Sequence, residues 1–354
     1  MLHFCTYFDR NYLSRGLALY GSLRRHCSGF TLWTLSLDEE TRLTLERLAL
    51  PGLRLVPLAE LEAADPELAA VKRGRPPLEY YYTCGPALLR YLLRATPGPD
   101  LLTYLDADLF FFGDPTPAVL ELTGASVGLV SHRVTDPRTN TLYGEFNVGW
   151  VSFRADADGL EALDWWRARC LESCATEHPE TGVCGDQKYL DELPRRWPGI
   201  VTLRHAGANL AYWNYGRFRY RRLGRTIYVE DEPVLWFHFG DFRFHGRWWL
   251  SPTFAPRALF PPRIVRRGIL VPYARTLRQL ERALAPGGAI ARRTGVPVVP
   301  RVFAAPPAPR PPGPHGWIVQ AVRAVRGVGH QVFLPFRVRG PLEAEVEIIL
   351  KAAS

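Results

Sequence analysis

The sequence predicts an α/β fold in which a mainly parallel sheet carries helices on both faces. Strand-like and helix-like segments alternate through the first hundred residues, as strand, crossover and strand units require. The last of these strands, Leu101 to Leu105, is an apolar run bounded by Pro97-Gly98-Pro99-Asp100, and it ends in two carboxylates two residues apart, Asp106 and Asp108. Ligands of such sheets gather beyond the carboxyl ends of the strands, which is where this pair falls.

Leu2 to Phe8 is the first strand, and Ser14 is placed to cap a helix reaching about His26, closed by Ser28-Gly29. Phe30 to Leu37 forms the second strand, Glu39 to Leu48 a helix and Leu53 to Leu58 the third strand. Gly85-Pro86 opens a helix carrying Leu88, Leu89, Leu92 and Leu93, which leads into the Leu101 strand. Further on, Ser126 to Ser131, Val148 to Phe153, Ile200 to Arg204 and Val234 to Phe239 read as strands, and Leu160 to Cys174 as a helix. After Pro252 proline and arginine rise. A helix is expected over Tyr273 to Leu284, a Pro-rich linker over Ala304 to Pro314, and terminal segments over Trp317 to Val328 and Glu343 to Leu350. The division expected is a catalytic domain over 1–250 and a basic, Pro/Arg-rich C-terminal extension over 251–354.

A chain of 354 residues with 47% hydrophobic content can bury one large α/β core plus an appendage. Its net charge of +9 is uneven: residues 251–354 carry 16 of the 44 basic and 4 of the 35 acidic residues, a net of +12 that leaves the rest at −3. Trp317 to Arg326 adds apolar groups and two arginines at helical spacing, so peripheral contact with an anionic membrane through the tail is one expectation. Pairing of these arginines with the slightly acidic body is the other. Met1-Leu2-His3-Phe4-Cys5-Thr6-Tyr7-Phe8 meets Asp9 and Arg10 too soon for a signal peptide, and no run of about 18 apolar residues spans a bilayer. A cytoplasmic protein, membrane-associated at most, is therefore expected. Six cysteines do not form a disulfide framework, and Cys170, Cys174, His178 and Cys184 fit no strong zinc template. The basic tail contains no recognisable nucleic-acid module, so no nucleic acid is expected as a partner.

Side chains at i and i+2 of extended chain share a face, so Asp106 and Asp108 can address one cation. Oxygen ligands suit Mg2+ or Mn2+, which keeps positions open for substrate phosphates. The first strand-to-helix turn, Thr6-Tyr7-Phe8-Asp9-Arg10-Asn11-Tyr12, lacks GxGxxG, and no P-loop follows it. It offers a carboxylate and aromatic rings able to read and stack on a base, or it is a solvated loop.

Four segments together resemble the GT-A nucleotide-sugar glycosyltransferases, above all glycosyltransferase family eight and its bacterial relatives. They are Tyr104-Leu105-Asp106-Ala107-Asp108, Phe146-Asn147-Val148-Gly149-Trp150, Gly185-Asp186-Gln187-Lys188 and Trp236-Phe237-His238-Phe239-Gly240. The resemblance spans about residues 2 to 240. It implies a GT-A fold with a mixed, mainly parallel sheet flanked by helices. It also implies transfer of a hexose from a UDP-sugar to a saccharide or lipid-linked acceptor, with retention of configuration. Asp106, Asp108 and His238 would hold Mn2+ (or Mg2+). Thr6, Tyr7, Asp9, Arg90, Ala107, Gly240 and Arg243 would contact the donor, with Arg247 a second stand-in for the diphosphate clamp. Asn147, Asp186 and Gln187 would face the sugar, and His205 to Asn214 would lie near the acceptor. On the residues alone, His238 also reads as a packed core histidine, Asn147 as a turn residue and Asp186 as an N-cap. A sugar-nucleotide nucleotidyltransferase and a non-catalytic sugar-binding protein are the other classes that fit.

Overall fold

The computed structural model describes residues 1–95, 97–134, 140, 143–176, 185–240, 242–245, 248–253, 261–298, 330–335 and 343–352. Its first half follows the alternating pattern: β1 (Leu2–Phe8), α1 (Leu13–His26), β2 (Phe30–Ser36), α2 (Glu39–Leu48), β3 (Leu53–Pro57), α3 (Leu58–Ala64), α4 (Pro66–Val71) and α5 (Pro77–Leu93). Then come β4 (Leu101–Leu105), β5 (Leu109–Phe111), α6 (Thr116–Leu120), β6 (Val127–Ser131), β7 (Phe146–Arg154), a helix over Ala157–Glu172 and β8 (Ile200–Thr202).

The central sheet has the order β3-β2-β1-β4-β7-β6-β8. β3, β2, β1 and β4 run parallel, and β6 and β8 are parallel to each other, while β7 is antiparallel to both its neighbours. This is a mixed, mainly parallel sheet, as expected. Both faces are covered. Phe4, Leu32, Leu105 and Trp150 bury against α1 and the C-terminal helices, while Cys5, Leu35, Leu102 and Val151 bury against α5 and helix Ala157–Glu172. Strands buried on both sides read as continuous apolar runs, which made them visible in sequence.

Several local expectations change. α1 starts at Leu13 after Tyr12, so Ser14 lies inside the first turn instead of capping it. Gly85-Pro86 does not open a helix. α5 begins at Pro77, where a missing N–H costs nothing, and runs through Pro86. Burial of Tyr80, Thr83, Cys84, Ala87 and Leu88 on one side outweighs the hydrogen bond lost at Pro86. Asp186 is no N-cap, because the short 3-10 turn Lys188–Glu192 follows Gln187 without a side-chain cap.

Among the described residues beyond 250, two helices join the body. Helix Val271–Leu284 buries Tyr273, Leu277 and Leu280 in the same cluster as Phe4 and Leu17, and Val346 and Ile349 of helix Ala344–Ala352 belong to it too. Glu345 is buried and pairs with Arg25 of α1 at 2.6 Å. The expected boundary at 250 thus falls within a continuous core. The linker 304–314 and the segment 317–328 lie outside the described residues, as do His178 and Cys184 of the zinc candidate. No helix among the described residues is long and apolar enough to cross a membrane. A chain ended at residue 252 should therefore fail to unfold cooperatively. In the full chain, Leu277→Ala should cost about 2–5 kcal/mol in a denaturant titration.

Candidate active site

β1 and β4 are neighbours at the centre of the sheet, so their carboxyl ends place Asp9 and Asp106 at the same edge. There the chain leaves β4 through a turn. The Asp106 amide donates to Gly149 O at 3.1 Å, and Leu109 N–H donates back to Asp106 O at 3.1 Å. Asp106 and Asp108 consequently sit in a turn rather than on extended chain, yet their carboxylates still converge. β5 continues from the turn and pairs antiparallel with strand Trp236–His238, which sets His238 opposite Leu109. His238 Nε2 lies 3.4 Å from Asp106 Oδ2 and 3.1 Å from Asp108 Oδ1. One ligand atom from each of the three residues falls within 4.8 Å of the others.

β7 brings the second group of residues. Its register with β6 jumps between Leu129, opposite Val151, and Val130, opposite Asn147. The bulged stretch aims Asn147 at the imidazole, a re-aiming that bulges commonly achieve beside sites. Asn147 Oδ1 is 2.9 Å from His238 Nδ1, and its Nδ2 donates to Gln187 Oε1 at 3.0 Å. Gln187 Oε1 also accepts from Val148 N–H at 3.2 Å, and Gln187 Nε2 donates to Tyr143 O at 2.8 Å. Gly149 is needed for this close approach: a Cβ there would lie 2.7 Å from Asn147 Oδ1 and 2.8 Å from the His238 ring.

These groups floor a cavity of about 410 Å³. Tyr7, Asp9, Tyr12, Tyr81, Asp186 and Gln187 are among the residues that line it. Ala107 and Gly240 also face it, as expected. Asp9 is partly committed to its own turn, accepting from Asn11 N–H at 2.9 Å, Asn11 Nδ2 at 2.7 Å and Tyr12 N–H at 3.3 Å. Two expected donor contacts lie elsewhere. Thr6 is fully buried in β1, because alternation turns it from the face that carries Tyr7. Arg90 donates to Asp164 at 2.7 Å and lines a separate cleft with Arg94. The side chain of Arg243 and all of Arg247 lie outside the described residues.

Several site residues carried no distinct sequence signal. Trp213 sets its edge against both His132 and His238, with ring centroids 5.5 and 5.2 Å apart. It is the member of the 205–214 segment that reaches the cavity. His132 lies within reach of Asn147, and burial pulls its pKa down to about 4. Tyr81 and Tyr82 were visible only as part of a tyrosine run whose helical phase turns Tyr80 inward. Arg15, on α1, donates to Phe242 O at 2.8 Å and stacks over Tyr12.

Electrostatics separate the three carboxylates. Burial lifts the Asp106 carboxyl, against the pull of His238, while Tyr104 donates to it at 2.8 Å. Burial opposes ionisation of Asp108 as well, but His238 and then Arg15 hold it below the ordinary value. Asp186 is pushed well above the carboxylate range by burial and by Cys174 and Asp106 nearby. Two oxygen donors and an imidazole nitrogen on a dry floor suit a divalent cation, and the nitrogen tilts preference from Mg2+ toward Mn2+.

Two relatives from Bacillus subtilis strain 168, both described as uncharacterized, align over most of their length. YfnF is 32% identical over 249 residues, covering 68% of this chain and 81% of the relative. YfnD is 32% identical over 244 residues, covering 68% and 78%. The chain belongs to the family of YfnF and YfnD. No family model matches it. Solved structures that this member of the YfnF/YfnD family resembles are glycosyltransferases. Mouse xyloside xylosyltransferase 1 is 14% identical, with 59% of this chain and 87% of that one covered and a TM-score of 0.44. The galactosyltransferase LgtC with donor and acceptor sugar analogs is 15% identical, with 59% and 76% covered and a TM-score of 0.40. GlyE of Streptococcus pneumoniae TIGR4 is 20% identical, with 61% and 48% covered and a TM-score of 0.39.

Gly149→Ala should weaken Mn2+ binding, because the new methyl must displace either the Asn147 amide or the His238 ring. Titration of free Mn2+ by electron paramagnetic resonance, alongside a melting curve, measures both the loss and any cost to the fold.

Proposed function

We propose that the protein is a metal-dependent glycosyltransferase that moves a hexose from a UDP-sugar to a saccharide or lipid-linked acceptor. The observation that carries this reading is the convergence of Asp106, Asp108 and His238 within 4.8 Å on the floor of a cavity lined by tyrosines. Bound Mn2+ or Mg2+ would supply positive charge against the departing diphosphate. Asp106 and Asp108 would hold the ion from one turn and His238 from the facing strand. Asp9, with the tyrosines that line the cavity beside it in sequence, Tyr7 and Tyr12, would receive the base, with rings to stack on and a carboxylate to accept from an N–H. Asp186, whose pKa burial raises, would meet a sugar hydroxyl through a hydrogen bond.

We take the transfer to be retaining: inversion needs an ionised base beside the attacking hydroxyl, and burial, then Cys174 and Asp106, disfavour the ionised form of Asp186. A nucleotidyltransferase would need basic groups after β1. The arginine there, Arg10, is instead turned onto Glu40, and its amide donates to Asp38 at 2.8 Å. The net +12 of residues 251–354 favours an acceptor at an anionic leaflet.

Asp106→Asn and Asp108→Asn should each lower turnover by about a hundred-fold or more with little change in melting temperature, since each removes charge facing the diphosphate. Turnover undiminished in excess chelator would refute the metal's role. Titration of UDP, GDP, ADP and CMP in the presence of Mn2+ should find UDP the tightest; equal affinities, or GDP tightest, would reassign the end of the cavity at Asp9.

A further inference from the structure

We propose that Asn147 and Gln187 are positioning residues that set the polarity of His238, rather than groups that grip the sugar; this rests on the metal site proposed above. Amide and imidazole orientations cannot be read one residue at a time, because O and N exchange places on flipping. Here two backbone groups of known polarity settle the whole chain. Val148 N–H can only donate, so Gln187 must turn Oε1 toward it, at 3.2 Å. Tyr143 C=O can only accept, so the other end of the same amide must be Nε2, at 2.8 Å. With Oε1 also facing Asn147 at 3.0 Å, Asn147 must present Nδ2 there and Oδ1 to His238.

His132 gives the same answer independently. Its Nδ1 lies 3.1 Å from Glu145 C=O and must carry the proton, so Nε2 is an acceptor and faces Asn147 Nδ2 at 3.4 Å. Asn147 Oδ1 is therefore an acceptor, and His238 Nδ1, at 2.9 Å, is an N–H. With the proton on Nδ1 held by Asn147, Nε2, which faces Asp106 and Asp108, is the nitrogen that can present a lone pair to a cation. Without Oδ1, the two carboxylates would draw the proton to Nε2 and block it. Asn147 is only 4% exposed, and its oxygen and both amide hydrogens are already engaged within the protein, so only the second lone pair of Oδ1 remains for a sugar. Second-layer partners of a metal-bound imidazole are worth about 10–100-fold in metal affinity.

The test is a double-mutant cycle in the full chain, read as Mn2+ affinity from the electron paramagnetic resonance signal of free ion, with no sugar present. Asn147→Leu should weaken Mn2+ binding by about 10–100-fold, and the same change should cost nothing further in a His238→Ala background. Gln187→Met cuts the relay one link earlier, at a residue less deeply buried, and should give a smaller loss that also vanishes in that background. Binding by Asn147→Leu equal to the parent, or a loss that persists without His238, would overturn the proposal while leaving the metal site intact. Absence of Mn2+ binding by the parent would instead remove the metal reading on which the proposal stands.

Discussion

Two carboxylates and an imidazole packed onto a nearly dry floor form the constraint around which the rest of the site is arranged. Like charges at such separations repel strongly where water cannot screen them, and burial alone disfavours each ionised form. Around His238 the surroundings add neutral donors and the charge of Arg15. Tyr104 donates to Asp106, Arg15 lies in the field of Asp108, and the amides of Asn147 and Gln187 add polarity without charge. For Asp186 burial raises the pKa. A divalent cation would offset the repulsion between the carboxylates, so the arrangement suits metal for the same electrostatic reason.

The scaffold brings these groups together from four distant stretches. β4 delivers the aspartates, β5 turns back to pair with the strand bearing His238, and the irregular stretch of β7 aims Asn147 between them. The C-terminal helices support this from beneath. Tyr273 stacks on Phe239 at 3.7 Å between ring centroids, directly after the histidine strand. The residues beyond 250 are thus part of what fixes the metal-facing strand, although their charge made them look detachable.

Errors of local reading share a cause. Gly85-Pro86 looked like a helix start because both residues disfavour helix interiors, but an apolar face already buried on both sides of Pro86 carries α5 through it. The resemblance places Arg90 and Thr6 against the donor, whereas helical phase points Arg90 at Asp164 and strand alternation turns Thr6 away from the face of Tyr7.

The sequence by itself determined the α/β class, the order of most strands along the chain and the pair Asp106 and Asp108 at a strand end, because buried strands are long apolar runs and carboxylates interrupt them at their ends. The family resemblance added His238, Asn147, Asp186 and Gln187, and the structure places all four beside the aspartates in the cavity lining. Their roles were decided only by tertiary structure. Whether an amide oxygen faces a sugar or an imidazole depends on a strand irregularity and on two backbone groups at Val148 and Tyr143. Whether Asp186 is charged depends on burial against residues from other elements. Spacing along a chain records which groups can meet; hydrogen-bond polarity and desolvation exist only once the chain is packed.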